Sequence, residues 1–399
     1  MTICTDEDVI VPTYAVQAAA EDAQAMARLL ASHFYPGTSG HVAGETDAAR
    51  ARHAARVLDV REAPAAGSST RAAGGARTYL IRIAIPRASM GTSMAMLLSN
   101  AAGEVLAYGK VRLVDLELPA SLIAGFKGPR FGSTGIRKIL GIAERPLLLA
   151  ITKPCLGFTP EEGARTFYEA AAGGADIVKD DELLSDPEYC RRAARVRLYA
   201  EAERRAFEQK GEHTLYAVNI TDRPDRLLAN ALEAIDRGAN ALMMNFLQAG
   251  FDASRMVSED PRVTVPILGH NAGAVALYGG AQTGVAAPLL SGLFPRLCGL
   301  DLAIFLTAHG KFPSSREDSL RTAEEMRGNI PGIVPMLPIP AGGVTAALVP
   351  AVCADYGMDI ALGAGGPLFG HPEGPRAGAA AFRRAIDGVM KEGRTSNGS

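Results

Sequence analysis

Gly173-Gly174-Ala175-Asp176-Ile177-Val178-Lys179-Asp180-Asp181-Glu182 is the stretch on which the reading of this chain turns. The apolar run from Ala175 to Val178 reads as a short buried strand, and it ends in a lysine followed at once by three carboxylates. Four charges at a strand end have two readings. They form an acidic loop that caps the next helix, or they share a hard cation such as Mg2+, which prefers carboxylate oxygens. Strand alternation puts Lys179 and Asp181 on one face, and Glu182 can join them as the strand turns into its loop.

Composition narrows the context. The chain has 399 residues, of which 48% are hydrophobic, enough for two to three domains with a real core. Its 41 basic and 43 acidic residues leave a net charge of −2, so neither a nucleic-acid footprint nor a polybasic membrane anchor is expected. The segment Met1–Asp8 has no basic region and no apolar core, and no apolar stretch reaches membrane-spanning length, which points to the cytoplasm. Five scattered cysteines (Cys4, Cys155, Cys190, Cys298, Cys353) with no CxxC pair read as reduced thiols.

Residues 1–125 predict a small domain. Strands at Val9–Val16, His53–Val60, Arg77–Pro86 and Val111–Pro119, with helices at Ala18–Phe34 and Ser93–Ala102, give the β-α-β-β-α-β order of a ferredoxin-like α+β unit. Ala63–Gly75 reads as a flexible loop, and the boundary falls inside the Gly/Arg-containing connection of residues 120–146. From residue 126 to 399 the pattern is regular. Eight apolar runs recur: Leu147–Thr152, Ala175–Val178, Thr214–Ile220, Ala241–Phe246, Val265–Gly269, Leu300–Thr307, Ile333–Ile339 and Asp359–Leu362. Helical spacing separates them, as at Glu161–Ala172, Pro224–Arg237, Ser315–Met326, Val344–Tyr356 and Arg376–Lys391, which predicts an eight-stranded TIM barrel. In such barrels the active site lies at the C-terminal strand ends, where this chain carries Lys153, Lys179, Asp181, Glu182, Asn219, Asn245, His270 and Lys311. The last two strands end in glycines, Gly342-Gly343 and Gly365-Gly366, where backbone N–H groups commonly hold phosphate.

The ten-residue stretch resembles the GGxDxxKxDE signature of the RuBisCO superfamily. Thr152-Lys153-Pro154, Leu156-Gly157, Gly269-His270, Gly310-Lys311, Gly342-Gly343 and Gly365-Gly366 with Gly370-His371-Pro372 extend the likeness over nearly the whole chain. The resemblance implies that Lys179 reacts with CO2 to form a carbamate, and that Asp181 and Glu182 complete a Mg2+ site with it. It makes Lys153 the proton-shuttling lysine, whose pKa a nearby cation and partial burial would depress, against the plainer reading of a salt bridge inside the site. His270 is either a site residue or a structural hydrogen-bonding one, and Lys311 is the lysine of a loop over the barrel. Members of the superfamily form head-to-tail homodimers with shared active sites, so His33 and Glu104 would act in trans.

Departures from the pattern point to function. Three positions that hold the second phosphate in carboxylases read Asn271, Ile304 and Ala341 here. Losing a charge-assisted hydrogen bond costs on the order of 1.5–3 kcal/mol, so a sugar bisphosphate should bind poorly. Cys155 replaces the second lysine of a KPK motif, His33 stands where a glutamate pairs with the loop lysine, and Glu104 stands for an asparagine. The expectation is a RuBisCO-like protein of form IV that makes an enediolate from a small monophosphorylated keto-sugar or keto-acid without productive CO2 fixation. Enolisation of a diketo methylthiopentyl phosphate, isomerisation of methylthioribulose phosphate and decarboxylation of a β-keto sugar-acid phosphate all remain open. A genuine carboxylase/oxygenase and a non-catalytic family member are the alternatives.

Overall fold

Residues 8–38, 42–63, 76–312 and 314–396 are described by the computed structural model. The expected loop of residues 63–75 lies, Ala63 aside, outside these, as do Cys4 and Pro313. The chain forms two compact units: Met1–Phe126 with Gly273–Leu290 and Gly328–Ile333, and the remainder, Lys127–Ala272, Ser291–Arg327 and Val334–Ser399.

In the first unit, strands Val9–Ala18, Arg56–Glu62, Arg77–Pro86 and Val111–Glu117 form an antiparallel sheet in the spatial order fourth, first, third, second, as a ferredoxin-like domain requires. Helix Met94–Ala102 starts at Ser93, whose hydroxyl accepts from the Met96 N–H, and Tyr14 on the central strand donates to the Ala101 carbonyl at 2.9 Å. Two details differ from the sequence reading. His53 ends a short helix, Asp47–His53, because Thr46 caps it, so the second strand begins at Arg56. A two-residue strand, Gly284–Val285, adds to the sheet edge parallel to Val111–Glu117.

The second unit is an eight-stranded parallel barrel. Its strands are Leu147–Ile151, Ile177–Lys179, Leu215–Asn219, Ala241–Asn245, Ile267–His270, Leu302–Leu306, Leu337–Ala341 and Ala361–Ala364, here called first to eighth. Hydrogen-bonded neighbours run from the seventh back to the first and then to the eighth, leaving the seventh–eighth seam without a ladder. Proline explains the seam. Leu337 N–H bonds Asp301 O and Thr307 N–H bonds Ala341 O, so residues 337, 339 and 341 serve the sixth strand. The alternate residues facing the eighth strand include Pro338 and Pro340, which have no N–H to give.

The two glycines of the signature have separate reasons to be small. A Cβ on Gly173 would lie 2.4 Å from the Arg376 carbonyl oxygen on the last helix, Pro375–Ser396, and Gly174 adopts φ +107° against Arg383. Buried Asp176 then accepts two bonds of 2.7 Å from Arg145 and one from the Leu148 N–H, locking the first two strands together at their starts. Inside the barrel, Leu149, Ile177, Ala217, Met243, Leu268 and Ile339 stack as an apolar plug above helix Gly132–Leu140, each large side chain contributing about 1.5–3 kcal/mol by burial.

Candidate active site

Each inward-facing strand position recurs two residues on, and at the top of the plug the chemistry changes. Two residues beyond Ile177, Ala217, Met243 and Leu268 stand Lys179, Asn219, Asn245 and His270, with Asn219 in register with Met243 and Asn245 with His270. On these four neighbouring strands an apolar inward position is thus followed by a polar one.

Lys179 is fully buried. Its ammonium donates to the Asp180 carbonyl at 2.7 Å and to Glu182 Oε2 at 3.3 Å. Burial pushes its pKa below the usual lysine value despite the neighbouring carboxylates. Asp181, also buried, accepts from Lys153 Nζ at 2.5 Å and from the Leu183 N–H. Glu182 Oε2 meets His270 Nε2 at 3.3 Å as well as Lys179. Burial works to raise the Glu182 pKa, but the Lys179 and His270 charges outweigh it and hold it at about 2. His270 goes down to about 4, through burial first and the Lys179 charge second. Its Nδ1 accepts from the Ala272 N–H at 3.1 Å, which leaves the proton of the neutral ring on Nε2, facing Glu182.

Asp180 faces the other way. Its carboxylate accepts from Arg195 at 3.0 and 3.2 Å, from Tyr216 Oη at 2.8 Å and from the Asn219 N–H at 2.9 Å, all buried. None of these three carboxylates caps the next helix, Arg192–Lys210, whose first N–H goes to Asp186. The helix-capping reading therefore gives way to an inward cluster of Lys179, Asp181 and Glu182.

Lys153 differs from its expected direction. Burial pulls its pKa down, but hydrogen bonds to Asp181 and to Cys155 Sγ at 3.0 Å outweigh that and raise it. The contact with Asp181 is the salt bridge inside the site that was the plainer reading of this lysine.

Of the glycine turns, Gly365 lies against Lys153, and Gly343 lies against Lys311. Gly342 and Gly343 take φ of +105° and +115°, a Cβ on Gly343 would crowd Lys311, and one on Gly365 would sit 3.4 Å from Lys153 Cε. Lys311 donates its backbone N–H to the Gly342 carbonyl and lays its ammonium 5.0 Å from the Phe312 ring centroid. Among the described residues the N–H groups of Gly342, Gly343 and Gly365 take part in none of the turn and loop backbone hydrogen bonds. Asn271 is buried and reaches Ser291 Oγ at 3.4 Å, while Ile304 and Ala341 belong to the apolar plug. His33 and Glu104 are in the first unit, His33 Nδ1 lying 3.3 Å from Tyr108 Oη and Glu104 exposed at the start of a 3-10 turn.

Two residues without an assigned role in the sequence reading hold the cluster together. Asn219 and Asn245 both donate side-chain N–H to the Glu182 carbonyl, at 3.2 and 3.0 Å. Their signal was available, since each stands two residues beyond a barrel-plug position.

Comparison with known proteins agrees with this geometry. Residues 132–397 match the family model described as ribulose bisphosphate carboxylase large chain, catalytic domain. The chain is 40% identical to a ribulose bisphosphate carboxylase-like protein of Archaeoglobus fulgidus, over 91% of this chain and 83% of that one. It is 36% identical to a 2,3-diketo-5-methylthiopentyl-1-phosphate enolase of Geobacillus thermodenitrificans, over 78% and 75%. The crystal structure of a rubisco-like protein from Alicyclobacillus acidocaldarius superimposes with a TM-score of 0.88 at 35% identity, covering 97% of this chain and 95% of that one. With the signature lysine and both carboxylates gathered at the mouth of a parallel barrel, the chain belongs to the RuBisCO superfamily, as one of its RuBisCO-like proteins.

Proposed function

We propose that this protein removes a proton beside the carbonyl of a monophosphorylated keto-sugar or keto-acid, giving an enediolate with an enolase, isomerase or decarboxylase outcome and no productive CO2 fixation. The observation that carries this reading is the contrast between the two ends of the site. The inner carboxylates Asp181 and Glu182 pair with two lysines, one of which, Lys153, lies against the Gly365 turn, whereas Asn271, Ile304 and Ala341 offer no cation to a second phosphate. Similarity to an enolase named for a diketo phosphate supports it.

Among the described residues no three His, Cys, Asp or Glu side chains gather to hold a metal, so Asp181 and Glu182 need a third anionic donor. Lys179 suits that part. Burial favours its neutral amine, which adds to CO2 with loss of one proton and becomes a carbamate. Mg2+ held by that carbamate, Asp181 and Glu182 would polarise a substrate carbonyl and acidify the adjoining C–H. The other roles fall to the chain itself. Lys153 is placed to move the proton, the His270 Nε2–H to bond a developing oxyanion, and Gly342, Gly343, Gly365 and Gly366 to bind one phosphate. Lys311, and in a homodimer His33 and Glu104 of the neighbouring copy, complete the site on this reading, with Asn271 at the distal end of the substrate. We read the protein as cytoplasmic, and no helix among the described residues is long and apolar enough to cross a membrane.

Deuterium exchange followed by proton NMR, with Mg2+ and bicarbonate, tests the proposal across phosphorylated ketoses, β-keto acids and ribulose bisphosphate. Exchange or decarboxylation of a monophosphate, abolished in Lys179→Ala, is expected. Turnover of ribulose bisphosphate with carboxylation would refute the reading of Asn271, Ile304 and Ala341, and silence across the panel would favour a substrate outside it or the non-catalytic alternative.

A further inference from the structure

Asn245 ends the fourth strand at its polar inward position and is 8% exposed. Its backbone N–H is used by Thr221 Oγ1 at 2.9 Å and its side-chain Nδ2 by the Glu182 carbonyl at 3.0 Å. That second bond fixes the amide, because the flipped form would set two oxygens face to face. Oδ1 is then left buried with no hydrogen-bond partner among the described residues. An unsatisfied buried acceptor is costly and needs a reason. Structure does not supply one, for the Glu182 carbonyl already has a donor in Asn219 at 3.2 Å. The fold would keep that carbonyl satisfied with an apolar side chain at position 245.

We infer that Asn245 is a further binding residue of the site, whose Oδ1 accepts an O–H brought by the ligand. An amide oxygen only accepts, so it selects a hydroxyl and rejects a carbonyl or phosphate oxygen at that point. The O–H has two possible sources: a hydroxyl of the substrate or of the enol as it forms, and the hydration water of a cation held by Asp181 and Glu182. The inference rests on the enediolate reading only for the first source. In the ion-paired arrangement seen here, Lys153 with Asp181 and Lys179 with Glu182, the acceptor waits without a donor.

The test compares Asn245→Leu, which removes the acceptor, with Asn245→Asp, which restores an oxygen but no Nδ2 donor. Without ligand, Asn245→Leu should melt within about 2 °C of the parent protein or above it, since an unsatisfied group has been removed. A fall of more than about 5 °C would make Asn245 a structural brace and overturn the inference. Thermal stabilisation by Mg2+ plus bicarbonate is the second arm. Its loss in Asn245→Leu and return in Asn245→Asp assigns the O–H to cation-bound water. With that response intact, a 10- to 100-fold drop in kcat/KM for 2,3-diketo-5-methylthiopentyl 1-phosphate or methylthioribulose 1-phosphate, recovered in Asn245→Asp, assigns it to the ligand. A loss in kcat points to the enol hydroxyl, and a rise in KM to a hydroxyl already on the substrate. If the parent protein turns over neither compound, the enediolate reading fails by itself and the Mg2+ arm still decides. An unchanged Mg2+ response with no altered turnover leaves only a buried water on Oδ1 and overturns the inference.

Discussion

Asp180 and Asp181 are neighbours in sequence with opposite assignments, and replacing each by alanine separates them. Asp180 and its partner Arg195 are both fully buried. The carboxylate takes two bonds from the guanidinium, one from Tyr216 and one from the Asn219 N–H. Asp180→Ala leaves the Arg195 charge with only neutral acceptors, the carbonyls of Cys190 and Ser185 and the Tyr216 hydroxyl. Breaking a buried pair by removing one partner costs about 3–5 kcal/mol, or roughly 4–6 °C of melting temperature in a chain of this size. Asp181→Ala removes the partner of Lys153, whose side chain is 33% exposed and can turn to water, so its cost is about 1 kcal/mol or less. Differential scanning fluorimetry of both variants, with circular dichroism to check the fold, reads the difference. An Asp180→Ala protein melting within about 2 °C of the parent, or an Asp181→Ala protein losing as much as Asp180→Ala, would refute the inward and outward assignment.

Three further outcomes are expected. His270 has a folded pKa of about 4 against an ordinary 6.5, so stability from the neutral ring is complete above pH 6.5 and is lost as the pH falls toward 4, up to about 3 kcal/mol; melting curves from pH 7 to 4 should therefore be flatter for His270→Gln, and parallel curves would count against it. Gly366→Ala places a methyl where no protein atom lies within 4 Å, so the fold should be unaffected while inorganic phosphate, titrated calorimetrically, binds at least several-fold more weakly; undiminished binding would move the phosphate elsewhere. Lys179→Met removes a buried ammonium with one neutral contact and one long ionic one, so it should match or exceed the parent in melting temperature yet lose bicarbonate-dependent Mg2+ binding; a destabilised variant would give Lys179 a structural role.

The barrel was legible because parallel strands buried on both faces read as short apolar runs, and each of the eight strands overlaps one of those runs. The seventh is displaced, Leu337–Ala341 against an expected Ile333–Ile339, since Pro338 and Pro340 disguise a strand that serves only one neighbour. Helix Arg192–Lys210 is not among those that apolar spacing picks out, because its buried face carries Arg192 and Arg195, which pair with Asn230 and Asp180. In the site, alternation along the signature strand puts Lys179 and Asp181 on one face, with Glu182 joining Lys179 at 3.3 Å. It could not show that Lys153 sits on Asp181, that Asn219 and Asn245 converge on one carbonyl, or that Arg195 answers Asp180. Each of these joins side chains on different strands or helices, and pattern along one strand carries no information about them.

The ten residues of the signature divide their work by the face on which they fall. Gly173, Gly174 and Asp176 fit the strand against the last helix and the first strand, and Asp180 clamps its far end to helix Arg192–Lys210. Those contacts are short, multiple and satisfied. The inward face is the reverse: Lys179 has no exposure, a single strong contact and a depressed pKa, and the cluster around it leaves a buried amide oxygen unpaired. A sequence shaped for stability alone would place apolar side chains there, as the plug one layer below does. The rigid outer face is what makes the inner one tolerable. With the backbone of residues 179–182 held by Asp180 and Asn219, Lys179 and Glu182 extend from fixed backbone positions and stay within reach of each other.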